Sequence, residues 1–179
     1  DHIGDIDIAD GVLWAPIEKG DKAAPDMVLA RYDARTLAYR DSFVLPQHHA
    51  AFVTIDEQGV LWSTDQFDDD TLQRYRLVGA SLEKLAPLKM SQKVAHIQGG
   101  DIAAGAMWLS TDDDHDGLYR VDLATGSVQE IGTTGYADGE GEGDDAQPGA
   151  AGAVTMAVLA ADAKLIPMRV IILQATKQP

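Results

Sequence analysis

The sequence contains no cysteine, which excludes disulfides and thiolate metal sites. That absence does not choose between an oxidising and a reducing compartment, and the reading leans only slightly to a periplasmic or extracellular setting. Basic residues are scarce: Lys and Arg total 14 against 29 Asp and Glu, for a net charge of −15. Phosphate binding needs a basic footprint, so the balance argues against a nucleic-acid partner. No apolar run reaches membrane-spanning length, and stretches such as Val170 to Leu173 are strand-sized. There is no P-loop lysine, so no nucleotide cofactor is expected, and no Ser-His-Asp or nucleophile-elbow motif is present. Sustained helical periodicity is also missing, whereas β-branched and aromatic residues cluster in short runs.

Aromatic residues make up only 6% of the chain, and its three tryptophans all fall in one motif. Gly-x-x-Trp occurs as Gly11–Trp14, Gly59–Trp62 and Gly105–Trp108. Asp7 and Asp101 stand seven residues before Trp14 and Trp108, and His2 and His96 stand five before those aspartates. In the middle copy His48 and His49 precede Trp62 at nearly the same distance. One arginine per copy, at 31, 74, 120 and 169, sets a period of roughly 45 residues, within the range of propeller blades. Each period divides into four short runs separated by turn residues such as Asp10-Gly11 and Thr125-Gly126. The expected fold is therefore all-β: four consecutive β-propeller blades of four antiparallel strands, in one domain. The blades are placed at about 2–46, 47–90, 91–135 and 136–179, the last without its outer strand. Tryptophan is expected to pack between neighbouring blades and arginine to bond across strands.

Phrases such as Leu118-Tyr119-Arg120-Val121-Asp122-Leu123 and Gly100-Asp101-Ile102-Ala103-Ala104-Gly105-Ala106-Met107-Trp108 resemble blades of bacterial six-bladed propellers. These include the gluconolactonase/regucalcin-like and strictosidine-synthase-like families. The resemblance lies in blade grammar and implies a fold, the C-terminal part of a six-bladed ring, but no catalytic motif.

In such a ring the residues that begin each inner strand gather at one channel mouth. His2, His48, His49 and His96 fall there, with Glu140 in the corresponding place of the fourth copy. They form a candidate site for zinc, iron or manganese, with His49 and His96 as candidate catalytic bases. The alternative is structural, each histidine bonding a neighbouring loop. The loops after the second strands carry Glu18, Asp21 and Asp26, then Asp65 and Asp68 to Asp70, then Asp112 to Asp114 and Asp116. Asp112-x-Asp114-x-Asp116-Gly117 opens like a calcium loop, but Leu123 stands where a closing glutamate is expected. The glycine-rich stretch from Gly132 to Gly152 reads as a mobile or metal-ordered loop. Two functions remain open: a metal-dependent hydrolase or lactonase-like enzyme, or a non-catalytic propeller binding a ligand or protein over its acidic face. The chain begins at an inner strand and ends in a third one. One strand and about two blades are therefore expected from a missing N-terminal segment or another chain, around a channel wider than four blades enclose.

Overall fold

The computed structural model describes residues 2–18, 27–65, 69–135, 139–150, 153–162 and 169–175. The described residues form four antiparallel sheets that follow one another along the chain. The first contains β1 (His2–Ile3), β2 (Asp7–Ala9), β3 (Val12–Glu18), β4 (Met27–Asp33) and β5 (Tyr39–Leu45). Both β1 and β2 pair with β3, so together they act as one interrupted inner strand. The second contains β6 (Thr54–Ile55), β7 (Val60–Ser63), β8 (Asp69–Val78), β9 (Ser81–Lys84) and β10 (Leu88–Val94), with β9 and β10 sharing the outer edge of β8. The third is the most regular: β11 (Ile97–Ala103), β12 (Ala106–Thr111), β13 (Gly117–Asp122) and β14 (Val128–Thr133) in sequential order. The fourth has β15 (Gly139–Pro148), β16 (Val154–Asp162) and β17 (Arg169–Ala175).

The turns follow from their residues. Asp10 and Gly11 have φ of 51° and 72°, and Ala104 and Gly105 have 52° and 74°. Two successive positive φ values give the hairpin whose twist suits the flanking strands. Between third and outer strands an aspartate organises the turn. Asp33 Oδ1 accepts from the Thr36 N–H and hydroxyl, and Asp122 Oδ1 accepts from the same two groups of Thr125.

The core lies between sheets. Met27, Leu29 and Leu45 of the first pack on Val53, Leu61 and Tyr75 of the second. Trp62, Leu72 and Met90 of the second meet Met107, Leu109 and Val121 of the third. Trp108 and Leu118 of the third meet Val154, Met156 and Val158 of the fourth. Each tryptophan thus faces the next sheet, and each lies across from its arginine: Trp14 from Arg31, Trp62 from Arg74, Trp108 from Arg120. The guanidinium carbon sits 5.0 Å from the Trp14 ring centre and 4.6 Å from that of Trp62. In the fourth sheet Arg169 lies across from Ala160.

Two expectations need correction. The glycine-rich segment is not a loop throughout, because Gly139–Pro148 forms β15, the inner strand of the fourth sheet. The inner strands are also closely packed rather than spread around a wide channel. A Cβ on Gly143 would lie 2.7 Å from Asp5 Oδ1, and one on Gly100 would lie 2.8 Å from the Phe52 ring. Glycine at these positions leaves the room that the neighbouring side chain fills.

Candidate functional site

The inner strands carry aspartates that bond from sheet to sheet. Asp7 Oδ2 accepts from the Ile55 N–H at 2.7 Å. The Thr54 hydroxyl lies between two carboxylates, 3.2 Å from Asp7 Oδ2 and 3.0 Å from Asp101 Oδ1. Asp101 Oδ2 accepts from the Ala146 N–H at 2.9 Å. Asp5, two residues before Asp7, spans further. Its Oδ2 accepts from the N–H groups of Gly100 (3.3 Å) and Asp144 (3.0 Å), in the third and fourth sheets. Its own backbone exchanges bonds with Ala51 and Val53 of the second sheet. One residue therefore links the inner strand of the first sheet to those of the others, through its carboxylate to the third and fourth and through its backbone to the second.

Beside it, Asp144 Oδ1 accepts from the Ser110 hydroxyl at 3.0 Å, while Asp144 Oδ2 is buried without a hydrogen-bond partner among the described residues. A cleft of about 300 Å³ opens here, lined by Ile6, Asp7, Ile8, Gly100, Asp101, Asp144 and Asp145. Burial dominates the electrostatics. It pushes the Asp5 carboxyl up to about 7, with the Asp101 charge adding to the effect. Burial, then repulsion from Asp5, raises Asp144 well above the usual carboxylate range. Asp101 is raised by burial and by Asp7. Crowded carboxyls in a low-dielectric place hold protons because ionising them all is costly.

His48, His49 and His96 each meet one neighbouring oxygen-bearing group. Buried His49 places Nδ1 against Glu18 Oε1, and that same oxygen accepts from the Ala50 N–H at 2.7 Å. Exposed His48 has its ring Nδ1 3.6 Å from Asp65 Oδ1, which also accepts the His48 N–H at 2.6 Å. His96, at φ 47°, sets Nδ1 2.9 Å from the Asp112 carbonyl. His2 is exposed on β1, with its Cα across from Glu18. Glu140 lies on β15 across from Ala161.

In the acidic loop after β12 the organising side chain is Asp113. Its Oδ1 accepts from the N–H groups of His115 (3.2 Å) and Gly117 (3.0 Å), and its Oδ2 from the Tyr119 hydroxyl at 2.8 Å. Asp114 is exposed, and Asp112 and Asp116 are half-buried. Asp21, Asp26 and Asp68 lie outside the described residues. Among the described residues no group of three or more His, Asp or Glu side chains is arranged to hold a metal ion.

No family model matches the chain, and no curated protein matches it. Solved structures do. A GH43 glycoside hydrolase engineered for both endo-xylanase and exo-arabinofuranosidase activity is similar over 94% of this chain and 36% of its own, at 8% identity and TM-score 0.59. The Dos1 propeller is similar over 88% of this chain and 38% of its own, at 14% identity and TM-score 0.51. A calcium-binding protein, regucalcin from Agrobacterium tumefaciens, is similar over 87% of this chain and 52% of its own, at 12% identity and TM-score 0.50.

The fold is that of a β-propeller. The four sheets are its blades, and this chain spans about half the length, or less, of each of those solved structures. At such low identities the likeness concerns the fold alone. In propeller terms the aspartates ring the axis: Asp7, Thr54, Asp101 and Asp145 occupy equivalent inner-strand positions. The sequence showed Asp7 and Asp101 as a repeat, but not that they line a cleft with Asp144 and Asp145. A signal was present: Asp5 and Asp7 alternate on one inner strand, while Gly99-Gly100 leaves space on another.

Proposed function

We propose that this chain is a ligand-binding propeller whose site is the axial cleft bordered by inner strands of the first, third and fourth blades. The observation that supports this reading is Asp144 Oδ2, buried at the cleft and without a partner. An unmatched buried acceptor costs about 1–3 kcal/mol, and a ligand donor would offset that cost. The cleft volume lies at the small end of small-molecule sites. Amide NMR of the protein with a panel of neutral, anionic and cationic fragments tests the reading. Saturable shifts at Gly100, Asp101 and Asp145 are expected; a panel that leaves these amides unmoved would overturn it.

A second reading is a hydrolase or lactonase-like enzyme. The raised proton affinities of Asp5, Asp101 and Asp144 beside a cleft favour it, since a general acid must hold its proton near neutral pH. Asp144 would then be the proton donor. A divalent cation belongs to this reading too: calcium at Asp112, Asp114 and Asp116, or zinc, iron or manganese at His2, His48, His49, His96 and Glu140, with His49 and His96 moving protons. The described residues do not fit one such ion as they stand, because His48, His49 and His96 each meet a separate partner and Asp113 organises the loop. No step is therefore routed through a metal. Lactone or aryl-glycoside turnover that disappears in Asp144→Asn would favour the enzyme.

A further inference from the structure

The axial-cleft reading leaves the ligand's chemistry open, and the lining residues narrow it. We infer that the cleft takes a small organic cation, an alkylammonium or guanidinium group carried on a short apolar body. This inference rests on the proposed function above and specifies its ligand.

Charge gives the first argument. Asp7, Asp101, Asp144 and Asp145 line the cleft, and among the described residues no Lys, Arg or His shares that lining. Elsewhere in the blades Arg31 pairs with Asp41, Arg40 with Asp33 and Lys89 with Asp70. A bound cation would supply the missing countercharge. Burial raises the proton affinity of Asp5 and Asp144, and a cation in the cleft would oppose that rise.

The oxygens already in use favour an organic cation over a metal. Calcium seeks six to eight oxygens, roughly, at close range. Here the carboxylates spend their oxygens on strands: both of Asp101 and Oδ2 of Asp5 and Asp7 already accept backbone or hydroxyl protons. Among the described residues none are grouped for a metal ion. An ammonium carries only three donors and a guanidinium five, in a fork, so either is satisfied by fewer and wider-spaced acceptors. Asp144 Oδ2 is such an acceptor, buried and unpartnered.

The third argument is the apolar wall. Ile6 and Ile8 line the same cleft yet remain 45% and 58% exposed. Two exposed isoleucines beside carboxylates match a ligand with a charged head and a hydrocarbon flank.

The test titrates the protein at pH 8 with butylammonium chloride, 1-butanol, methylammonium chloride and calcium chloride, reading the Gly100, Asp101 and Asp145 amides. Butylammonium should bind saturably, at least tenfold tighter than butanol and tighter than methylammonium. Asp144→Asn should weaken butylammonium about tenfold or more. Should that variant fail to fold, Ile8→Ser at an exposed position should weaken butylammonium while leaving methylammonium unchanged. Calcium moving these amides where butylammonium does not would overturn the organic-cation inference. Neutral or anionic fragments binding where no cation does would overturn it too, yet leave the axial site standing. If no compound moves these amides, the site reading itself fails.

Discussion

The carboxylate of Asp5 accepts a hydrogen bond at 3.0 Å from the backbone N–H of Asp144, a residue 139 positions further along the chain. This contact ties the inner strand of the first blade to that of the fourth and places a half-buried carboxyl beside a buried one. Two such groups cannot both ionise cheaply.

Stability should therefore fall as pH rises from about 4 to about 7. Asp5 moves from an ordinary 3.8 to about 7 in the fold, so the folded protein binds more protons than the unfolded chain across that window. A single carboxyl in this position removes about 1.4 kcal/mol of stability per pH unit. The opposite sign applies to Asp33, held at about 2 by Arg40; its contribution is present above 3.8 and is lost as pH falls through 2. The urea midpoint should be highest in mildly acid solution, and Asp5→Asn should flatten its decline toward neutrality. An unchanged slope in that variant would place the proton elsewhere.

Gly99→Ala should be costly without any strain in φ. The new Cβ would lie 2.4 Å from Asp144 Oδ1, 2.7 Å from Ser110 Oγ and 2.8 Å from the Asp144 backbone nitrogen. A backbone atom cannot rotate away, so β15 must shift, at about 1–3 kcal/mol. Gly59→Ala is the contrast: φ is +71° and nothing lies within 4 Å, so only the left-handed backbone costs, about 1–2 kcal/mol. Denaturation should show both losses, but only Gly99→Ala should also alter the pH slope assigned to Asp5 and Asp144.

The tryptophans are equivalent in the sequence repeat but not in their surroundings. Trp62 is buried between blades with Nε1 donating to Asp56 Oδ2 at 2.9 Å, whereas Trp14 is half-buried and its Nε1 has no partner. Trp62→Ala should cost about 3–5 kcal/mol, and Trp14→Ala less. Phenylalanine separates them further. Trp62→Phe loses a hydrogen bond and strands the Asp56 oxygen, at about 1–2 kcal/mol, while Trp14→Phe removes an unsatisfied N–H and should be close to neutral.

Blade structure was legible because its signals are local and repeated. Asp-Gly turns, Trp across from Arg and alternating runs all act within one sheet. The fourth inner strand was expected near Asp144 to Ala146, but its reach back to Gly139 was not, because Gly139 to Asp145 offers no β-branched residue; at the axis Gly143 fits against Asp5. The axial cleft was missed for a related reason. Asp5 has no counterpart in the repeat, its place being taken by Phe52, Gly99 and Gly143, so no spacing pointed to it. The histidines did repeat, but their partners Glu18, Asp65 and Asp112 emerge only when second strands are laid beside inner ones.

The loop after β12 supplies the last prediction. Its sequence offers Asp112, Asp114 and Asp116 at calcium-loop spacing, yet the intervening Asp113 makes the bonds that shape the turn. Replacing Asp113 by alanine strands the Gly117 N–H and the buried Tyr119 hydroxyl, at about 1–3 kcal/mol. Asp114 is exposed, so Asp114→Ala should stay within about 0.5 kcal/mol. If the protein's own turn chemistry orders the loop, these values will be the same in chelator and in millimolar calcium. A ligand that binds only the folded state raises the midpoint by mass action, so a calcium site would show itself as a rise on adding the ion. A rise abolished by Asp112→Asn, Asp114→Asn and Asp116→Asn together, but not by Asp113→Asn, would return the loop to metal binding. With Asp113 turned inward and Asp114 in solvent, the expected result is no calcium-dependent rise, and a penalty for Asp113→Ala that the ion does not change.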